Sequence, residues 1–230
     1  MSDKSNEANP LRVQVKNGLS NFIQKYRAVL IGIVLVVLVI LVGLAVWSQL
    51  EGSTKKDFAA RIEKSQEEFT AWKQETDTTK KEALAKALEE ELLVIEKNAP
   101  VSYGLLKAWF LHGDFFAEQK KWVDAAKAYK TVFDKDPHSY LAPISLVNAA
   151  VSQEEAGDVA AALVLLETFL KDFSSNVVLA PQVYFTKGHL QELQLKPADA
   201  LVSYKALQEK YAESNWTKLA HDRIILLGSD

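Results

Sequence analysis

The sequence predicts an all-α protein: a single N-terminal transmembrane helix followed by an α-solenoid of helical hairpins. Three observations carry that prediction. One 20-residue segment holds no charge at all. Beyond it, apolar residues recur at three- and four-residue spacing, the period of one helix face. From residue 100 onward the same residue types return every 37 or 38 positions, and a period of that size marks stacked helical hairpins.

The uncharged segment is AVLIGIVLVVLVILVGLAVW, residues 28–47. At about 1.5 Å per residue it spans about 30 Å, the thickness of a bilayer core. A signal peptide has a shorter apolar run and a small-residue cleavage site just after it. Here 27 residues precede the run, and Trp47-Ser48-Gln49 follows it, so the segment predicts an uncleaved membrane helix. For orientation, Arg12, Lys16, Lys25 and Arg27 on one side balance Lys55, Lys56, Arg61 and Lys64 on the other. Two details break the tie. Lys25 and Arg27 lie against the apolar edge, whereas the downstream basic residues begin eight positions away, and the tail carries five basic and two acidic residues. The positive-inside rule then predicts a cytoplasmic N-terminus. Residues 1–27 are expected to be a short cytoplasmic tail: polar and disordered over 1–10, then a short helix over 11–27 with Leu19, Phe22, Ile23 and Tyr26 on one side.

The part after Leu50 has 22 Lys+Arg against 28 Asp+Glu, an acidic excess of six. That argues against a nucleic-acid partner, which needs a basic face. The chain has no cysteine, which excludes disulfides, thiolate metal sites and cysteine nucleophiles. About 180 residues beyond the apolar run are enough to bury a sizeable core.

Residues 51–98 read as a helical hairpin or stalk. Phe58, Ile62, Ser65, Phe69 and Trp72 follow a 4-3-4-3 spacing, one helix seam with a polar member. Glu75-Thr76-Asp77-Thr78 breaks the pattern. Thr79 and Glu82 have capping-box spacing and predict the start of the second helix. Leu84, Leu88, Leu92 and Ile95 form its apolar face, and Asn98-Ala99-Pro100 ends it.

Residues 100–230 carry the repeats, at about 106–139, 143–176 and 181–212, followed by a C-terminal capping helix. Gly113, Ala150 and Gly188 are equivalent; so are Ala125, Ala162 and Ala200, and Tyr129, Leu166 and Tyr204. Leu141-Ala142-Pro143 recurs as Leu179-Ala180-Pro181. The pattern resembles the tetratricopeptide repeat. The first unit matches it with Trp109, Gly113, Phe116, Ala125 and Tyr129, and Pro137 closes it. The third matches with Tyr184, Gly188, Ala200 and Tyr204, with Gln191 in place of the second aromatic. The second is degenerate, with Leu146, Ala150, Ala162 and Leu166. Trp216, Leu219 and Ala220 look like the first helix of a further unit. In this reading Gly113 admits the second helix of its hairpin near Ala125 and Ala126, and the flanking aromatics lock over the crossing.

No residue pattern points to catalysis, a metal or a cofactor. His112, His138, His189 and His221 have no ligand spacing. Glu89-Glu90-Glu91 reads as a solvated face, and Glu154-Glu155 precedes a turn. The chain is therefore expected not to be an enzyme, and other proteins are its expected partners. The resemblance implies a concave binding groove lined by the first helix of each unit. Projected onto this chain, its positions are Lys107, Phe110 and Asp114; Ile144, Val147, Asn148 and Val151; and Gln182, Phe185 and His189. Phe110, Val147 and Phe185 are equivalent and would form either an apolar ladder for extended or unfolded partner segments or a part of the core. Both readings stay open at this point. Of the lysines, asparagines and arginine with which some members clamp a C-terminal carboxylate, only Asn148 has a counterpart; Phe110 and Asp114 replace a lysine and an asparagine.

The whole plan of short basic tail, membrane helix, hairpin and three divergent repeats is similar to the ancillary subunit of the bacterial Sec translocon, SecYEG. Tyr103-Gly104-Leu105-Leu106, opening the first repeat, adds to the likeness. That resemblance implies an inner-membrane protein presenting a periplasmic repeat domain to translocon subunits, emerging secretory chains or chaperones. The alternatives are an envelope-assembly or cell-division adaptor, and a docking scaffold facing the cytoplasm.

Overall fold

The structure, a computed structural model, describes residues 10–228, with side chains described from Gln24 onward except at Leu30, Leu50 and Glu51. The expectation of disorder at residues 1–9, and the side-chain face proposed for Leu19, Phe22 and Ile23, lie outside the described residues. Every regular element among the described residues is a helix: α1 Pro10–Gln74, α2 Thr78–Asn98, α3 Tyr103–Glu118, α4 Trp122–Lys135, α5 Ala142–Glu155, α6 Val159–Asp172, α7 Ala180–Leu193, α8 Pro197–Lys210 and α9 Asn215–Leu227. The contacts divide the chain into two units that part between Ser53 and Thr54.

The first unit is helical from Pro10. It contains a stretch long and apolar enough to cross a membrane by length and composition, and none of that stretch is buried by protein.

The second unit begins with the last part of α1, residues 54–74, folded back against α2. The spacing of the two seams is borne out: Ile62, Ser65, Phe69, Trp72, Leu88, Leu92 and Ile95 are all buried. Arg61 adds a bidentate pair to Glu91, at 2.6 and 2.8 Å. The guanidinium holds the Glu91 carboxyl below its ordinary range. The start of α2 differs from the capping box expected at Thr79 and Glu82. Asp77 is the N-cap, its carboxylate accepting from the Lys80 amide at 2.9 Å. Glu75 accepts from the Thr76 and Asp77 amides and so fixes the turn. An aspartate at N-cap satisfies an orphan donor directly and needs no partner at N3.

Three hairpins follow, α3–α4, α5–α6 and α7–α8, with α9 packed on α8 and α7. They share one turn. Lys120 (φ 58°), Gly157 (φ 83°) and Leu195 (φ 57°) are all left-handed. In each turn the next amide donates back to a carbonyl five residues earlier: Lys121 to Phe116, Asp158 to Gln153 and Lys196 to Gln191, each at 2.9 Å. This is the Schellman closure of a helix C-terminus. Glycine takes that backbone without a Cβ penalty, whereas Lys120 and Leu195 carry it at a cost on the order of 1 kcal/mol. Leu195 is 88% exposed and has little packing to lose. Leu195→Gly is therefore expected to stabilise the unit by up to about 1 kcal/mol, read as a rise in the thermal midpoint.

The core runs along the solenoid in three clusters. One joins the hairpin to α3 through Trp72, Leu92, Leu111 and Phe115. The next is built from Tyr129, Leu146, Leu166 and Phe169. The last holds Tyr184, Tyr204, Leu207 and Ala220. Phe116 packs on the first two, and Leu170 and Tyr211 on the last two, so the clusters are stitched together.

Gly113 and Gly188 face helices α4 and α8 as expected, but a different residue fills the space. A Cβ on Gly113 would lie 2.6 Å from the Tyr129 ring, and one on Gly188 would lie 2.5 Å from the Tyr204 ring. The glycines seat flat tyrosine rings rather than admitting the helix backbone at Ala125 and Ala126. In the middle unit Ala150 and Leu166 stand at the equivalent positions, and both are buried in the same cluster.

Candidate functional site

The first helices of the three hairpins, α3, α5 and α7, carry the positions projected for a binding groove. The structure divides those positions. Val147 is 6% exposed and belongs to the central core cluster. Phe110 is half-buried, with its ring edge-on to Tyr129 at 5.3 Å. Phe185 is half-buried between Tyr204 and Trp216, at 5.6 and 5.3 Å. The apolar ladder is thus broken in the middle, and its ends serve mainly to clamp the tyrosine plates. Equivalent helix positions carry equivalent side chains, but the neighbouring helix decides whether they see solvent.

The remaining positions keep polar groups accessible. Val151 is 43% exposed and His189 is exposed. Ile144, Asn148 and Gln182 are half-buried. Lys107 is committed to Glu63 at 2.8 Å. Asp114 accepts a hydrogen bond from the Tyr129 hydroxyl at 2.5 Å. Burial pushes the Asp114 carboxyl above its ordinary range, and the Tyr129 bond and Lys73 only partly oppose this. The tyrosine is pushed up as well, by burial first and then by the carboxylate beside it.

The third unit repeats the motif with different electrostatics. Tyr204 donates to Glu192 at 2.5 Å, and Arg223 of α9 binds the same carboxylate, one bond at 3.0 Å. Arg223, with help from Tyr204, holds Glu192 below the usual carboxylate range. The carboxylate in the last unit therefore has its counter-charge built in, and Asp114 in the first does not.

His112 is buried, its Nδ1 2.7 Å from a Glu96 oxygen and its ring stacked on Phe116 at 4.2 Å. Glu96 is equally covered, with both side chains 4% exposed. The pair ties α2 to α3. His112 is a packed residue that joins the hairpin to the first repeat. Among the described residues no group of three or more potential ligands could hold a metal ion.

A feature the sequence did not reveal lies where the hairpin meets the first repeat. A cleft of about 620 Å³ is walled by Phe69 and Lys73 of α1, Asp114 and Glu118 of α3, and Trp122 and Tyr129 of α4. Lys73 pairs with Glu118 across it. Phe69 and Trp122 are 53 positions apart, and no local spacing relates them. The one usable signal was Asp114 itself, an acid next to the glycine that seats the repeat tyrosine.

Residues 145–176, the middle hairpin, match the tetratricopeptide repeat family. By its residues that unit is the degenerate one of the three, with Leu146 and Leu166 where the others carry aromatics. The chain is also similar to a TPR repeat-containing protein of Treponema pallidum (strain Nichols), 28% identical over 116 residues. The match takes in 50% of this chain and 47% of the relative, so the chain spans about half the length of the curated relative it matches. The chain carries a tetratricopeptide repeat within an array of helical hairpins, an architecture that generally mediates protein–protein interaction.

Proposed function

We propose that this protein is a membrane-anchored interaction scaffold of the bacterial inner membrane. Residues 28–47 span the bilayer, the N-terminus is cytoplasmic and the repeat unit is periplasmic. There it assists secretory protein translocation or hands emerging chains to periplasmic chaperones, in the manner of the ancillary translocon subunit its plan resembles. The observation that carries the reading is the pairing of an uncharged helix, left uncovered by protein, with an array of tetratricopeptide-like hairpins. Binding, rather than catalysis, is the role assigned to the repeat unit.

Two measurements test it. Protease added to spheroplasts is expected to remove residues beyond 50 while sparing the tail; survival of the repeat unit until lysis would reverse the topology. Photo-crosslinkers at Asn148, Val151 and His189 in intact cells are expected to capture translocon subunits, unfolded secretory chains or chaperones. Capture of division or outer-membrane assembly proteins instead would replace the translocation role with that of an envelope adaptor.

A further inference from the structure

The cleft between the hairpin and the first repeat has an unbalanced charge at its floor. Lys73 and Glu118 neutralise each other. Asp114 is half-buried, forms no ion pair among the described residues, and has the Tyr129 hydroxyl as its hydrogen-bond donor. Lys120 sits at the rim, exposed to water, where its field is strongly screened. A carboxylate partly removed from water and left without a counter-charge is costly to keep ionised. Burial duly raises its proton affinity. The equivalent tyrosine in the last repeat hydrogen-bonds a carboxylate that Arg223 neutralises at 3.0 Å. The first repeat has the equivalent tyrosine bonded to an acid at a different place on its helix, Asp114 rather than a counterpart of Glu192, and it has no arginine beside it.

The walls suit what is missing. Trp122 is half-buried and offers ring surface to the cleft, with the nearly buried rings of Phe69 and Tyr129 behind it. Aromatic faces pack the methylene stem of a long basic side chain and attract its charged head. A guanidinium or ammonium group placed there would meet Asp114 in the position that Arg223 takes against Glu192.

We propose that this cleft receives a basic side chain, arginine or lysine, of an extended partner segment, with Asp114 as its counter-charge and Trp122 as its stacking face. The proposal rests on the scaffold reading above and names the chemistry of the partner. It is the inverse of a carboxylate clamp: the protein supplies the acid and the partner the base.

The test uses the full chain in mild detergent and four matched extended peptides that differ at one central position: Arg, Lys, Gln or Glu. Titration calorimetry is expected to show the Arg and Lys peptides binding about ten-fold or more tighter than the Gln peptide, the scale of a charge-assisted contact. The Glu peptide should be the weakest, and the Arg preference should shrink as salt is raised. Asp114→Asn is expected to bring the Arg-to-Gln ratio close to one. The fold should survive this change, because the amide oxygen still accepts from Tyr129. The sign of the stability change supports that. An acid whose proton affinity is raised by folding costs stability at pH values above its folded pKa, and the cost vanishes below its unfolded pKa. Asparagine removes the cost at pH 7, so the midpoint should hold or rise there. Tyr129→Phe keeps the ring over Gly113 and removes the donor, so the Arg preference should persist or grow. Equal binding of Arg and Gln peptides, or an Arg preference that survives Asp114→Asn, overturns the proposal. So does failure of every peptide to bind. In either case crosslinking in cells still decides the scaffold reading. An Arg preference lost in Asp114→Asn, with no protein captured from the groove in cells, would keep the cation site and remove the scaffold.

Discussion

Gly113→Leu should lower the thermal midpoint of the repeat unit by several degrees, and Gly188→Leu should do the same. A Cβ at either position already lies within 2.6 Å of a tyrosine ring. The ring atoms it meets include Tyr129 Cγ at 2.9 Å, the rigid root of the side chain and not a flexible tip. Leucine adds three more carbons beyond that Cβ. Overpacking typically costs about 1–3 kcal/mol, and each kcal/mol shifts a unit of this size by about 2–4 °C. Gly113→Ala is the sharper experiment. Helix propensity favours alanine by about 1 kcal/mol, so a falling midpoint would show that the ring contact outweighs it. Tyr129→Ala should suppress the penalty of Gly113→Leu in a double-mutant cycle, since the two residues touch. Unchanged midpoints for both leucine variants would mean that the rings swing aside, and the tyrosine plates would not define the hairpin crossings.

Phe115→Ala is expected to cost about 3–5 kcal/mol, the usual range for deleting a buried phenylalanine. Phe115 is fully buried, with its ring 5.0 Å from Trp72 of the hairpin. Its neighbours in the cluster, Ile62, Leu88 and Leu92, come from α1 and α2. A solenoid is stabilised by nearest-neighbour interfaces, so damage should appear first where the contact is lost. Hydrogen exchange in the variant should accelerate over residues 54–98 before it accelerates in α5 to α9. A loss under about 1 kcal/mol, or exchange that rises uniformly, would show that the hairpin does not depend on this interface.

The helices were legible because their seams are local. Phe58 to Trp72 and Leu84 to Ile95 announce buried faces by spacing alone, and the structure buries all of them but Phe58 and Leu84, which are half-buried against the same cluster. The 37- and 38-residue recurrence gave the hairpins for the same reason. What required three dimensions was the identity of the neighbour. Gly113 was legible as a site of close approach, but the period that repeats Ala125 also repeats Tyr129, and only the crossing geometry selects the ring. Val147 is equivalent to Phe110 along the sequence, yet packing closes over it. The cap of α2 went to Asp77 because its carboxylate reaches the Lys80 amide, whereas Thr79 and Glu82 merely had suitable spacing. Lys120 and Leu195 occupy left-handed turns with residues that give no sign of it. The cleft joins α1, α3 and α4, and the aromatic and acidic residues that compose it are far apart in the chain.

The shared turn has a mechanical consequence. Each hairpin is closed internally by the same left-handed residue and back-donated amide, so it behaves as a stiff block. The segments between blocks differ: residues 136–141 join α4 and α5, which pack extensively on each other, whereas α6 and α7 meet far less across residues 173–179. Under tension along the chain, the α6–α7 joint is expected to part before the α4–α5 joint. A block that gives way releases 37 or 38 residues at once, on the order of 130 Å of contour length. A partner held across the second and third hairpins would bridge that joint and brace it, so resistance to pulling would rise with occupancy.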